Sequence, residues 1–497
     1  MRVCLVIEGS YPYITGGVSS WVHELIAGLA DIEFVLFTFS PMADQKLRYE
    51  LPPNVVEHRD VVLSKFPESI KGKFSARAAL KAVLGAHGRM FAGETPDAAS
   101  FFSCLPEGRG LHRIATLDSG AWKVIAAQNT RRNPLYPFAD YYWAWRSAHD
   151  LLFTTLAAKA PEADLYHSLS TGFAGLAALA AKQRHGKPFL LTEHGLYHKE
   201  REIEIRKASF VRGYQRDMWI RLYNRLASLC YRNADLCTSL FEENRRKQIE
   251  IEVSTRAVGA GGVRRGLGAA EEKTIVIPNG IDVARFSVTR ERRDENLHVG
   301  FVGRVVPIKD VKTFIVAAKL VLDREPRARF HIVGPDDEDP KYARECRELT
   351  AGFRLEDRLF FTGRKDVREY YRFLDCLVLT SVREAQPLVI LEAWAAGIPV
   401  VSTDVGNVSE LLEGDRRFIA PVKDADGIAE GILYILSHPD EMAALNERNK
   451  KKVIARYEKK DLLLRYGELY RRFDPKETAA AGEKPSRKAR SRRARRA

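Results

Sequence analysis

Short apolar runs alternate along the chain with segments of helical period. Val3–Ile7 is the first apolar run, and a helical segment follows it. That segment repeats apolar side chains at spacings of three and four, at Trp21, Val22, Leu25, Ile26 and Leu29. A short uninterrupted apolar run is typical of a strand buried on both faces, whereas the second spacing is typical of a helix with one buried face. The pattern therefore predicts a parallel sheet covered by helices.

The alternation runs through the chain twice. The first series continues with Phe34–Phe37, Phe189–Leu191, Leu236–Cys237 and Ile275–Ile277. The second series is Val299–Val302, Phe330–Val333, Leu359–Phe361, Cys376–Leu379 and Pro399–Val401, with a helix predicted from about Val311 to Leu322. We predict an α/β protein of two doubly wound, Rossmann-like domains, over residues 1–285 and 296–455. Ligands of such sheets bind at the carboxyl ends of the strands, so we expect the chemistry in a cleft between facing domains.

Other segments depart from the alternation. Residues 65–150 read as a helical insertion whose aromatic cluster indicates either a packed subdomain or a docking face. The cluster comprises Tyr136, Tyr141, Tyr142, Trp143 and Trp145. Residues 257–270 contain five glycines and predict a mobile loop. Residues 456–474 predict a helix that packs back on the first domain, and residues 475–497 a disordered basic tail.

The net charge of +14 raises the question of a nucleic-acid partner. Residues 476–497 hold nine Lys or Arg and two Glu, a net charge of +7, and the remaining +7 is spread over 475 residues. That spread is too diffuse for a nucleic-acid footprint, so we expect no specific nucleic acid. The tail itself is either a solvated segment or an interaction tail for anionic lipid or RNA.

The remaining composition fits an intracellular globular protein. Hydrophobic residues make up 45% of the 497 residues, yet no apolar run approaches the roughly 18 residues of a membrane span. The N-terminus lacks the longer apolar stretch of a signal peptide. We therefore expect a cytoplasmic protein, and any peripheral attachment to the inner face of the membrane would come through partners or the basic tail. The six scattered cysteines contain no C-x-x-C pair and are expected to be reduced.

Two glutamates eight positions apart, Glu384 and Glu392, form the sharpest candidate site. Glu384 falls in the loop after a predicted strand, and Glu392 lies within the next helix, in which Pro387 fits an early position. An ionised carboxylate accepts two hydrogen bonds from vicinal hydroxyls such as those of a sugar or a ribose. Taken alone, Glu392 also fits an ordinary exposed glutamate of a helix.

Two cations stand at the start of the second domain. Gly303 and Arg304 follow its first strand, and Lys309 precedes its first helix. Backbone N–H groups at a helix N-terminus favour anions, and the two cations add positive charge there. We therefore predict that Arg304 and Lys309 hold a diphosphate together, without a metal ion.

The first domain offers two further candidates. Gly16 and Gly17 follow its first strand, where glycine serves either a turn or the close approach of a ligand. His194 follows the strand at Phe189–Leu191 and is either structural or catalytic. The acidic run Asp336–Asp339 could suggest a metal, but its position predicts a solvated loop, and we expect no required metal.

These motifs jointly resemble those of retaining glycosyltransferase family 4, whose members have the GT-B fold. The resemblance rests on Glu384 with Glu392, Gly303–Arg304 with Lys309, Pro278–Asp282 and Gly16–Gly17, and it covers the chain except the insertion and the tail. The segments Glu8–His23 and Thr192–Gly195 resemble more particularly the cytosolic glycosyltransferases of Pel exopolysaccharide biosynthesis.

The resemblance implies a role for each candidate residue. Glu384 would contact the donor sugar, Glu392 the ribose, and His194 the transferred sugar. Arg304 and Lys309 would stabilise the departing diphosphate. The donor site would be completed by Gly16, Gly17, Arg364, Leu388 and Val389, with Arg364 beside the base.

The resemblance also implies a reaction and its partners. The donor would be a UDP-sugar, either UDP-glucose or a UDP-N-acetylhexosamine, and the acceptor a growing polysaccharide. Same-face attack would retain the anomeric configuration without an enzyme nucleophile or a cofactor. The chain would work beside membrane-embedded synthase subunits. The alternative is a catalytically silent scaffold that senses nucleotide sugars, which would require a broken donor site, whereas Arg304, Lys309, Glu384 and Glu392 are all present.

Overall fold

A computed structural model describes residues 1–64, 137–209, 211, 213–251 and 268–475, with single positions and stretches of two or three residues between 65 and 136. Several sequence predictions therefore lie outside the described residues. These are most of the insertion at 65–136, the glycine-rich loop up to residue 267, and the basic tail at 476–497.

The chain divides into two compact units. Unit 1 comprises Met1–Val276 and the chain from Leu463 onward, and unit 2 comprises Ile277–Leu462. We expected the first domain to extend to residue 285 and the second to begin at 296. Instead, residues 277–285 lie in unit 2, because the backbone N–H of Ile281 donates to Tyr457 O (2.9 Å) and that of Lys459 donates to Ile281 O (2.9 Å).

Unit 1 contains a parallel sheet with the strand order β3-β2-β1-β4-β5-β6-β7 within the described residues. The strands are β1 (Arg2–Glu8), β2 (Glu33–Ser40), β3 (Val55–Val62), β4 (Leu165–Ser168), β5 (Phe189–Glu193), β6 (Leu236–Ser239) and β7 (Thr274–Val276). The helices are α1 (Gly17–Gly28), α2 (Phe138–Ala157), α3 (Phe173–His185), α4 (Tyr197–Lys207), α5 (Gly213–Asn233) and α6 (Glu242–Ile249). The order reverses between β1 and β4, which makes this pair the topological switch point of unit 1.

The apolar runs predicted five strands of this sheet, namely β1, β2, β5, β6 and β7. Val3–Ile7 lie between β2 and β4 and are almost completely buried. The sequence did not predict β3 or β4. Strand β3 lies at the edge of the sheet, and its sequence VVEHRDVV is partly exposed. Strand β4 has only four residues, LYHS. Its polar His167 is buried and forms hydrogen bonds with Tyr470 Oη (2.7 Å) and Thr192 Oγ1 (2.8 Å).

Unit 2 repeats the same design with the strand order β10-β9-β8-β11-β12-β13. Its strands are β8 (Leu297–Val302), β9 (Ala328–Val333), β10 (Leu359–Gly363), β11 (Cys376–Leu379), β12 (Val400–Thr403) and β13 (Ile419–Ala420). Its helices are α7 (Val283–Phe286), α8 (Val311–Leu322), α9 (Pro340–Gly352), α10 (Val367–Tyr371), α11 (Leu388–Ala395), α12 (Val408–Leu411), α13 (Ala425–Ser437) and α14 (Pro439–Arg456). The switch point of this unit lies between β8 and β11. Two doubly wound parallel-sheet units confirm the predicted fold class.

The last described helix is α15 (Lys459–Arg471). From Leu463 onward its residues belong to unit 1, where Tyr466 and Tyr470 are buried. The Tyr466 hydroxyl hydrogen-bonds with Thr238 Oγ1 (3.2 Å), and the guanidinium of Arg471 donates to Asp31 (2.7 Å). No helix in the described part of the chain is both long and apolar enough to cross a membrane.

Candidate functional site

The candidate site of unit 2 lies at the carboxyl edge of its sheet, at the β8–β11 switch point. The loop after β8 ends in a 3-10 turn, Pro307–Lys309, and the loop after β11 carries Glu384. Two hydrogen bonds join these loops: the Val382 amide donates to Ile308 O (2.8 Å) and the Thr380 hydroxyl to Lys309 O (3.1 Å). These bonds fix the register of the two loops and bring their side chains together.

The structure brings Lys309 and Glu384 into direct contact. The ammonium of Lys309 forms an ion pair with Glu384 Oε1, and the Ser381 hydroxyl donates to the same oxygen (2.7 Å). Their side chains are 21% and 16% exposed, so the pair is partly shielded yet accessible to a ligand. Sequence reasoning missed Ser381, although its position three residues before Glu384 was a usable signal.

Glycine residues at the ends of β8, β9 and β10 form backbone hydrogen bonds between neighbouring strands. The Gly303 amide donates to Val333 O (3.0 Å), and the Gly334 amide to Gly363 O (3.0 Å). Gly334 has a φ of +153°, and a Cβ there would lie 2.0 Å from Gly303 O. Only glycine fits such a close approach of two backbones. The loop that carries Arg304 therefore lies directly against the end of β9.

The two arginines predicted in unit 2 do not join the Lys309–Glu384 pair. Arg304 is exposed and donates to both carboxylate oxygens of Glu338, with Nη1 2.7 Å from Oε2. Arg364 follows Gly363 and is also exposed. Glu338 engages Nη1 of Arg304, so a diphosphate would either displace Glu338 or bind the remaining N–H donors of the same guanidinium.

The segment Pro278–Asp282 is hydrogen-bonded to the loop that carries Glu384. The Asn279 amide donates to Gln386 Oε1 (2.8 Å), and Gln386 Nε2 donates to Asn279 O (2.9 Å). This reciprocal pair fixes the position of the buried Gln386 beside Glu384. Gln386 was also missed by sequence reasoning, although it lies between the two glutamates singled out there.

A glycine after β12 packs against the same loop. Gly406 has a φ of +58°, and a Cβ there would lie 2.2 Å from Ala385 O. The next amide, that of Asn407, donates to the same carbonyl (3.2 Å). The loop between β11 and α11 is thus held from two sides.

Glu392 lies in a separate environment from Glu384. It is partly exposed in α11, and its Oε2 accepts a hydrogen bond from the buried Tyr371 hydroxyl (3.0 Å). Burial raises the pKa of the Glu392 carboxyl, while the bond from Tyr371 and the positive charge of Arg285 act in the opposite direction. Leu388 and Val389 are half-buried in the first turn of α11 and pack against the core formed by α11 and its neighbours.

In unit 1, Gly16 and Gly17 stand at the start of α1 and are exposed. A Cβ on either glycine would meet no described atom within 4 Å, and the Gly16 φ of 171° is extended backbone open to any residue. Neither local crowding nor a left-handed turn therefore requires glycine at position 16.

His194 lies directly after β5 and packs against a residue of α1. Its ring meets the Trp21 ring edge-on with centroids 4.6 Å apart, and Trp21 in turn packs against Tyr466 of α15 (5.1 Å). Burial lowers the pKa of His194 to about 4, so the imidazole is neutral at pH 7. A neutral imidazole can exchange hydrogen bonds with a sugar hydroxyl but supplies no positive charge.

Two carboxylates at the same edge of unit 1 were not singled out by sequence reasoning. The Glu8 carboxylate accepts hydrogen bonds from the Tyr197 hydroxyl (2.5 Å) and from the Phe173 amide at the start of α3 (2.8 Å). Glu193 accepts bonds from the hydroxyls of Thr171 (3.1 Å) and Tyr231, and burial raises its pKa to about 7. Since Glu8 occupies the helix N-terminus at this switch point, the anion-binding position of unit 1 is filled by the chain itself.

The acidic run Asp336–Asp339 forms contacts within the protein. Glu338 pairs with Arg304, Asp336 pairs with Arg347, and Asp339 caps α9 by accepting from the Tyr342 amide (3.0 Å). In the described residues, no group of three or more His, Cys, Asp or Glu side chains is arranged to hold a metal ion.

The fold of the two units is that of GT-B glycosyltransferase structures. The chain is similar to Anabaena Alr3699/HepE in complex with UDP (16% identity, TM-score 0.58, 95% of this chain and 99% of that chain). It is also similar to sucrose-phosphate synthase from Thermosynechococcus elongatus (19% identity, TM-score 0.56, 97% and 100%). At these identities the likeness establishes the fold.

Family comparisons match both halves of the sequence. Residues 1–254, more than half of the chain, match the family described as Domain of unknown function (DUF3492), and the chain belongs to that family. Residues 296–438 match the family described as Glycosyl transferases group 1. This second match includes Arg304, Lys309, Glu384 and Glu392.

Curated relatives match a limited part of the chain. N-acetyl-alpha-D-glucosaminyl L-malate synthase of Bacillus anthracis is 27% identical over 35% of this chain and 44% of its own length. The putative colanic acid biosynthesis glycosyltransferase WcaL of Escherichia coli is 29% identical over 38% of this chain and 48% of its own length. The chain thus matches less than half the length of these two relatives.

Proposed function

We propose that this chain is a retaining glycosyltransferase that transfers a sugar from a UDP-sugar to a growing polysaccharide. The observation that carries the proposal is the Lys309–Glu384 pair at the β8–β11 switch point, within the region that matches the group 1 glycosyltransferases. Open α/β sheets bind their ligands at this point. A cation beside a carboxylate there suits a ligand with both phosphate and hydroxyl groups.

Each residue of the site has a proposed role. Lys309, together with Arg304, neutralises the diphosphate as negative charge develops during departure. Glu384 accepts hydrogen bonds from the donor sugar, and Glu392 accepts them from the ribose. His194 of unit 1, neutral at pH 7, contacts the transferred sugar. The acceptor hydroxyl attacks the anomeric carbon from the face that the diphosphate leaves and gives its proton to the leaving phosphate, so the anomeric configuration is retained without an enzyme nucleophile.

Uridine is the favoured base because of the structural neighbours. HepE was solved in complex with UDP, with UDP-glucose, and with UDP and glucose. UDP-glucose and a UDP-N-acetylhexosamine are the two donor candidates for this chain. The proposal requires neither a cofactor nor a metal ion.

The particular pathway proposed is Pel polysaccharide biosynthesis. The segments Glu8–His23 and Thr192–Gly195 resemble those of PelF, the cytosolic glycosyltransferase of that pathway. On this proposal the chain works in the cytoplasm beside membrane-embedded synthase subunits, with the basic residues 476–497 attracted to anionic lipid.

Deleting residues 476–497 should reduce recovery of the protein with membranes. Unchanged fractionation would exclude this role for the tail.

The first test is thermal unfolding of the full chain with UDP, GDP and ADP, followed by their sugar conjugates. A ligand at 100 times its dissociation constant stabilises the folded protein by about 2.7 kcal/mol, which is readily detected. Stabilisation by UDP and by one UDP-sugar supports the proposal. No stabilisation by any nucleotide in well-folded protein would contradict it.

The second test distinguishes an enzyme from a sensing scaffold. Release of UDP from the stabilising UDP-sugar is measured with polysaccharide acceptors, and NMR assigns the anomeric configuration of the new bond. Binding without turnover would favour the catalytically silent scaffold, and an inverted product would exclude the retaining mechanism.

A further inference from the structure

The Glu392 carboxylate is held by a buried hydroxyl that neither the sequence motifs nor the family resemblance assigns. Tyr371, the last residue of α10, is completely buried, and its hydroxyl lies 3.0 Å from Glu392 Oε2. The two residues are 21 positions apart, on separate helices. A buried phenol donor directed at one oxygen of a partly exposed carboxylate restricts the rotation of that carboxylate.

We propose that Tyr371 is a positioning residue of the nucleotide site, which acts by holding Glu392 for the vicinal hydroxyls of a ribose. This inference rests on the proposed function, because it takes the ligand to be a nucleoside diphosphate. Among the described hydrogen bonds, the Tyr371 hydroxyl is the donor to Glu392 and engages Oε2. On this proposal Oε1 accepts from the ribose while Oε2 stays bonded to Tyr371.

Tyr371, the donor of this hydrogen bond, is itself held in place by packing and by a backbone hydrogen bond. Its ring lies against Phe286 of α7 with centroids 6.2 Å apart, and its carbonyl accepts a hydrogen bond from the Arg290 guanidinium (2.6 Å). Phe286 and Tyr371 belong to the same buried core as α11, the helix that carries Glu392. Tyr371 is therefore held by packing that does not depend on its hydroxyl, and a phenylalanine can fill the same space.

The hydroxyl also opposes an electrostatic penalty on Glu392. Burial raises the pKa of this carboxyl, and the Tyr371 bond, followed by the charge of Arg285, lowers it. Helix α14 also packs against α11. The ammonium of its Lys452 lies over the Trp394 ring and pairs with Glu413 Oε1 (3.0 Å) rather than with Glu392. Loss of the hydroxyl therefore leaves Glu392 with a higher pKa and fewer constraints.

The test is UDP binding to the full chain, measured by calorimetry between pH 5.5 and 8.5. Tyr371→Phe should weaken UDP about fivefold at pH 7, the size of one ordinary hydrogen bond, and should raise the pH below which affinity declines. Tyr370→Phe is the matched control, because its ring packs against His331 and Phe373 and its substitution should change neither quantity.

Two substitutions of Glu392 separate positioning from general damage to the fold. Glu392→Gln should remove the pH dependence that this carboxyl contributes, whether or not Tyr371→Phe folds. In a Glu392→Ala background, which removes the acceptor of the Tyr371 hydroxyl, Tyr371→Phe should weaken UDP by less than twofold. Wild-type affinity and pH dependence in folded Tyr371→Phe, or an equal loss in the Glu392→Ala background, would overturn the proposal.

Failure of the proposed function is recognised separately. If the wild-type chain binds no nucleotide, the UDP-sugar proposal and the ribose contact both fail. Denaturant unfolding would still measure the interaction between Tyr371 and Glu392 through its effect on stability. Tyr371→Phe should then lose more stability relative to the wild type at pH 8 than at pH 5.5, and this difference should vanish with Glu392→Gln.

Discussion

Replacing Lys309 by alanine removes the one ammonium that contacts Glu384 among the described ion pairs. In the proposed complex this ammonium donates to a phosphate oxygen while Glu384 accepts from the sugar. A hydrogen bond to a charged group contributes about 1.5–3 kcal/mol, which corresponds to a loss of roughly 10- to 150-fold in UDP affinity. The side chain is only 21% exposed, so solvent screens this interaction less than it would at the open surface.

The assay is calorimetric titration of the full chain with UDP at fixed ionic strength. Lys312→Ala is the matched control, since Lys312 lies in the first turn of α8 and its ammonium pairs with Glu345 (2.7 Å). Both variants lose one positive charge near the same helix start. Lys312→Ala should bind UDP within about twofold of the wild type, because an exposed ion pair contributes little.

A second ligand locates the effect at the phosphates. Uridine has no phosphate, so Lys309→Ala and the wild type should bind it with similar affinity. If Lys309→Ala binds UDP as well as the wild type does, or if Lys312→Ala loses as much, the assignment of Lys309 to the diphosphate is wrong. An equal loss for uridine would instead indicate damage to the loops that Lys309 joins.

Three other predictions concern stability and turnover. Gly334→Ala should lower the melting temperature and weaken UDP, because its Cβ would lie 2.0 Å from Gly303 O; an unchanged melting temperature would contradict the close approach. Glu193 has a folded pKa raised from 4.5 to about 7, so its protonation contributes stability below pH 4.5 that is lost as pH rises through 7, on the order of 3 kcal/mol. Denaturant midpoints from pH 4.5 to 8 should show this decline in the wild type and a smaller one in Glu193→Gln; equal slopes would refute it. His194→Ala should lower sugar transfer while UDP affinity stays within about twofold, a split that kinetics and calorimetry measure together, and parallel losses would argue against contact with the sugar alone.

The sequence revealed most of the described strands through runs of apolar residues. β1, β8 and β11 consist mainly of apolar residues, because each lies between two other strands of its sheet. β3 was not predicted, because an edge strand tolerates charged and polar residues. β13 was not predicted, because it is only two residues long and too short to form a pattern.

The candidate site was predictable as far as it depends on strand ends. Lys309 and Glu384 follow β8 and β11, and the rule that ligands bind at the carboxyl edge was enough to place them near each other. The partners of Arg304 and Glu392 were not predictable. Arg304 pairs with Glu338, 34 residues away, and Glu392 with Tyr371, 21 residues away, and no local pattern indicates which of the surrounding charges or hydroxyls each will meet.

The sequence by itself determined the fold class, the positions of most of the described strands and the loops that carry the candidate chemistry. It could do so because burial on both faces and helical period are local properties of the chain. Only the tertiary structure decided the strand orders, the start of unit 2 at Ile277, the return of the chain to unit 1 at Leu463, and the hydrogen-bond partner of each buried polar group. Those features depend on contacts between residues far apart in sequence, which packing selects from many alternatives that are equally compatible with the local pattern.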